Sequence, residues 1–130
     1  MRRLRDEQGD ATTELVLVTP VLLLLVAFVI QFALWYHAAH VAEAAAQEGA
    51  RAARAFDGSA EAGRERAERF LAETGPGIVV TPEVTVRRDV TTARVEVHGR
   101  APSVVPGMRL PVTATAESPT ERFAGSSRPG

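Results

Sequence analysis

LVLVTPVLLLLVAFVIQFALWY, residues 15–36, decides the class of this chain. The run holds 22 residues without a formal charge. As a helix rising about 1.5 Å per residue it spans the roughly 30 Å hydrocarbon core of a bilayer. It is apolar on every side, whereas a core helix in a soluble protein of 130 residues is shorter and shows a polar stripe. Trp35 and Tyr36 close the run, and amphipathic rings favour the membrane–water interface. Arg2, Arg3 and Arg5 precede the block, and the first basic residues after it are Arg51 and Arg54. The positive-inside rule therefore places the N-terminus in the cytoplasm and the remainder outside, as a single-pass protein of the cytoplasmic (inner) membrane. A cleaved secretory signal would have an apolar region of about 7–15 residues ending in small side chains. This run is longer and ends in bulky rings, and Ala42-Glu43-Ala44 lies well past it, so retention as an anchor is expected.

Composition narrows the rest. Basic residues (15) nearly balance acidic ones (16), and aromatics make up 5%, which argues against a nucleic-acid partner. With no cysteine, disulfide frameworks, Cys-based zinc sites and thiol nucleophiles are excluded. Neither a phosphate-cradling glycine loop nor a serine nucleophile motif occurs. His37, His40 and Glu43 are spaced i, i+3, i+6, which drifts around a helix and reads as interfacial polarity rather than a metal site. No catalytic residue, metal or cofactor is called for. Membrane lipid is the first expected partner.

On the N-terminal side, Glu14 abuts the run. An ionised carboxylate costs about 3 kcal/mol at a membrane centre and less at its edge. Glu14 either marks the interface and reaches water, or it needs a cation. The α-amine of Asp10, released if the chain is cut after Gly9, would lie about one helical turn away. Pro20 removes a ladder bond to Val16, so a bend or kink is expected, unless the proline is simply tolerated there. Gln31, the one amide in the run, either hydrogen-bonds across to another helix or marks the approach to the outer interface.

On the other side the chain is rich in alanine and free of proline, so the helix is expected to continue to about Phe56. Residues 14–56 make a rod about 65 Å long. Gly49 is unfavourable in a helix interior by up to about 1 kcal/mol. Close approach of another helix is one reason for it, and a tolerated blemish is the other. Asp57-Gly58-Ser59 reads as a turn. Residues 60–74 predict an amphipathic helix with Ala60, Ala67, Phe70, Leu71 and Thr74 on one face, stopped by Gly75-Pro76-Gly77. Three alternating strands follow, carrying Val84 and Val86, then Val95 and Val97, then Leu110, Val112, Ala114 and Ala116. Residues 89–92 are the expected hairpin turn and 101–107 a loop. So small a sheet needs a cover, and the Phe70/Leu71 helix is the expected lid. The fold class is an α+β membrane protein: a long N-terminal transmembrane helix, a second amphipathic helix and a small three-stranded antiparallel sheet. Its expected organisation is a leader (1–9), the helix with its extracytoplasmic extension (10–56), a small α+β domain (57–122) and a flexible tail (123–130).

Three features coincide: a short basic leader ending in Gly9 with Glu14 five residues on; an apolar helix with Pro20 that runs into Ala46-Gln47-Glu48-Gly49-Ala50-Arg51-Ala52-Ala53; and a small α+β remainder. This arrangement resembles the TadE-like proteins, pseudopilins of the tight-adherence (Flp-type) pilus system. Glu48, Gly49, Ala50 and Arg51 stand in what looks like the family's most recognisable run, a helix-packing motif. The resemblance implies cleavage between Gly9 and Asp10 by a prepilin peptidase. It also implies a role for Glu14 in assembly or recognition, and helix–helix packing with other pilus or secretion subunits. Leu15 follows Glu14 where Flp-type pilins often carry an aromatic residue. The alternative is an unrelated single-pass protein that displays a small extracytoplasmic binding domain.

Overall fold

The computed structural model describes residues 2–55 and 57–120, with side-chain surroundings from residue 11 onward. Helix α1 runs from Arg2 to Arg54, 53 residues without a break. It begins well before Glu14, because leader residues such as Leu4, Glu7 and Gln8 are good helix formers and nothing there halts the ladder. Pro20 lies inside it, and the helix continues on both sides. The expected end at Phe56 and the expected tail, 123–130, lie outside the described residues.

Helix α2 (Ala60–Thr74) starts where the Ser59 hydroxyl accepts a hydrogen bond from the Ala62 N–H at 3.0 Å. That bond satisfies one of the free donors of the first turn. The helix stops at Gly75, whose φ of +143° suits glycine and disfavours other residues. Ala67 and Leu71 are buried, as the predicted apolar face requires, and Ala60 and Phe70 are partly buried. Thr74 is exposed instead, and its hydroxyl donates back to the Phe70 carbonyl at 2.7 Å.

The strands are β1 (Val80–Arg88), β2 (Thr92–Arg100) and β3 (Pro111–Pro119), antiparallel and in the order β1-β2-β3. Val84 pairs with Val97 and Val86 with Val95, while β3 sets Ala116 and Ala114 opposite Val95 and Val97. These side chains share one face, as their period of two demands. The Asp89 N–H donates to the Thr92 carbonyl at 2.7 Å and closes the expected turn. One boundary differs from the sequence reading, the start of β3. β1 begins at Val80, through an irregularity between Val80 and Glu83 that contains Pro82 and Thr81 at φ +47°. β3 begins at Pro111, leaving Leu110 in the preceding loop. Both prolines sit where a missing ladder donor costs least, on edge strands.

The cover of the sheet also differs. β3 and β2 lie chiefly against α1, and α2 covers mainly β1. The principal lid is therefore the C-terminal half of α1, and the Phe70/Leu71 helix is a flank. The reason is side-chain size. Ala38, Ala42, Ala45, Ala46, Ala50 and Ala53 form a fully buried stripe on α1. Such a stripe lets a sheet of valines approach the helix backbone closely. Val95, Val97 and Val112 are the large side chains buried most completely over it.

Candidate functional site

Length and composition allow α1 to cross a membrane. Its apolar half is not the core of the fold: Leu15, Leu17, Val21 and Leu23 are each about two-thirds exposed. Large aliphatic side chains held outward over this length are suited to lipid and unfavourable in water. Glu14 is exposed at the N-terminal edge of that surface. The Gly9–Asp10 bond lies within α1, and the side-chain surroundings of these two residues are outside the described part.

The surface changes character at Gln31, which is 1% exposed. Its amide nitrogen donates to the Pro102 carbonyl at 2.9 Å. Its amide oxygen accepts from the Val104 N–H at 2.7 Å and the Val105 N–H at 3.3 Å. Neither sequence reading of Gln31 described this. The partner is the chain's own β2–β3 loop, 71 to 74 residues away in sequence. One turn on, the Trp35 ring N–H donates to the Pro111 carbonyl at 3.0 Å, at the first residue of β3. Trp35 also packs on Phe32, with ring centroids 5.8 Å apart. Gln31 and Trp35 thus fasten one end of the sheet beside the last turns of the exposed apolar surface, which still includes Phe32 and Tyr36.

A second fastening lies further along. Glu48 pairs with Arg51 on its own helix at 3.1 Å and with Arg66 of α2 at 3.3 Å. Gly49 faces α2: a Cβ placed there would lie 2.9 Å from the Gly63 carbonyl oxygen and 3.0 Å from the Ala67 methyl. Gly63 is the reciprocal contact, since a Cβ there would meet the Ala53 methyl at 2.8 Å and the Gly49 carbonyl oxygen at 2.9 Å. Ala50 is buried beside them, and Arg51 is exposed. The Glu48–Arg51 run therefore packs within the chain, glycine against glycine. Gly63 did not emerge from the sequence, and its only signal was a glycine interrupting an otherwise strong helix former.

The remaining candidates stay apart. His37, His40 and Glu43 are exposed, and His40 makes an edge contact with Tyr36 at 4.4 Å between centroids. Among the described residues no three metal-type side chains converge.

An outward-facing apolar helix, long and apolar enough to cross a membrane, whose stem carries a small α+β domain defines the class of protein, with the domain fastened at Gln31, Trp35 and the Gly49–Gly63 contact. Within it, residues 9–51 match the family model of the TadE-like proteins. The match covers the anchor, the Gln31–Trp35 fastening and Gly49, and stops before α2. No curated protein and no solved structure gives a significant match.

Proposed function

We propose that this chain is a TadE-like pseudopilin, a structural or assembly component of a tight-adherence pilus or a related secretion apparatus. The observation that carries the proposal is the family match over residues 9–51, the same stretch in which the lipid-type surface gives way to the docked stem. In this reading residues 15–36 sit in the cytoplasmic membrane, and Arg2, Arg3 and Arg5 keep the N-terminus in the cytoplasm. The α+β domain stands outside. A prepilin peptidase cuts between Gly9 and Asp10. The freed amine of Asp10, in this subunit or a neighbour, pairs with Glu14 and offsets the cost of placing a carboxylate at the bilayer edge. The role is structural, without a catalytic step. Other pilus or secretion subunits pack on the exposed faces of α1, since α2 and the sheet occupy the small-residue face around Gly49.

The test is the N-terminal sequence and intact mass of the protein from native membranes. A chain starting at Asp10 supports peptidase processing. Gly9→Val should then block processing, and Glu14→Ala should impair pilus assembly, while both proteins still insert in the membrane. An unprocessed chain with both variants fully active would end the pseudopilin reading and leave a single-pass protein that displays its domain.

A further inference from the structure

The loop between β2 and β3 is tied to α1 at an unusual height. Glu14 marks the charged edge of the apolar run. From Leu15, Gln31 lies about 24 Å along the helix, still inside a hydrocarbon core about 30 Å thick. Helix tilt only brings it deeper. Whatever is hydrogen-bonded to Gln31 shares its depth. That segment is Ala-Pro-Ser-Val-Val-Pro-Gly-Met, residues 101–108, which carries no charge until Arg109.

Several of the loop's backbone groups are paired, which matters near hydrocarbon, where an unpaired N–H or C=O costs several kcal/mol. Gln31 takes the Pro102 carbonyl and the Val104 and Val105 N–H groups. The Val105 carbonyl accepts from the Met108 N–H at 3.1 Å. The Ser103 hydroxyl lies 2.8 Å from both the Val105 and Met108 carbonyls. The Ala101 N–H donates to the Leu110 carbonyl at 3.0 Å, and Trp35 takes the Pro111 carbonyl. Pro102 and Pro106 bring no N–H at all. Beside these paired groups, Val104 is 47% exposed. The opposite end of the sheet is a control within the same molecule. There Val90 is also exposed, but it sits among Arg87, Arg88 and Asp89, and the length of β2, about 30 Å, separates it from the loop.

We propose that the β2–β3 loop is a second membrane contact, which dips into the leaflet on the domain's side with Val104 against acyl chains, its backbone held by Gln31 and Arg109 at headgroup level. The domain is then fixed in height and rotation by two points on the bilayer, the helix and the loop. This rests on the reading of α1 as a membrane span.

The chain has no cysteine, so single cysteines can carry an environment-sensitive fluorophore. Full-length Val104→Cys, Val90→Cys and Leu24→Cys proteins are labelled and reconstituted alone in vesicles of phosphatidylethanolamine and phosphatidylglycerol. All three side chains are exposed, so the label displaces no core atom. Lipids spin-labelled on the acyl chain should quench the label at 104 severalfold more than at 90, with the label at 24 quenched most. Equal, weak quenching at 104 and 90 with strong quenching at 24 overturns the loop contact and keeps the span. A label at 104 that is shielded from aqueous iodide yet unquenched by lipid also overturns it, because a second copy of the chain then covers the loop. An unquenched label at 24 removes the span, and the loop contact with it.

Discussion

The two halves of α1 are one continuous helix with opposite surfaces. Residues 15–30 present leucine, valine, isoleucine and phenylalanine outward, and the fold itself buries none of them fully. From Gln31 to Ala53 the buried positions are mostly alanine. The difference lies in what each half must meet. In the proposed reading the first half meets lipid, which accepts bulk in any direction, so large side chains all round suffice. A sheet and a second helix must come within backbone distance, so that face must be small. The change occurs within a turn, at Gln31 and Trp35, where polar side-chain groups reach the loop and strand carbonyls.

The comparison breaks most sharply at the helix crossing. Gly49→Leu puts a side chain where even a Cβ lies 2.9 Å from the Gly63 carbonyl oxygen. It should destabilise the α+β domain by about 3 kcal/mol or more, against a helix-propensity gain of under about 1 kcal/mol. Denaturant unfolding in detergent reads this, and membrane extraction should be unchanged. Gln31→Leu comes next. It strips partners from the Pro102 carbonyl and two N–H groups, and should cost about 2 kcal/mol, with earlier proteolysis of the 101–110 loop than of the β1–β2 turn. An unchanged digestion pattern would show that Gln31 does not hold the loop. Glu48→Ala removes ion pairs whose arginines are 64% and 41% exposed, so the loss should stay below about 1 kcal/mol and shrink further in high salt. Smallest is Leu23→Val in the outward half. Domain unfolding should be unaffected, and a measurable shift would mean that residues 15–30 pack on the domain after all.

The apolar run, α2 and the alternating valines were legible because each is written locally, in length, period or punctuation. The lid on the sheet was less so. An alanine stripe beside a membrane run reads equally well as a surface for another subunit's helix, and only the docked sheet shows that this chain covers it. Gly49 signalled a close approach without naming Gly63, because a glycine records that room is needed and not what fills it. Spacing alone places Thr74 on the apolar face of α2, yet as the helix's last residue it is exposed.

By itself the sequence determined the elements: a helix apolar enough to span a bilayer, a short amphipathic helix, and three strands with one apolar face. Those properties depend on neighbours within a few residues. Tertiary structure alone decided which side of α1 became core, where Gln31 spends its amide, and that Gly49 meets Gly63. Each of these depends on groups from different elements brought together, across 71 residues in the case of Gln31 and Pro102. No local period encodes such a meeting, and packing and hydrogen-bond satisfaction select it once the elements exist.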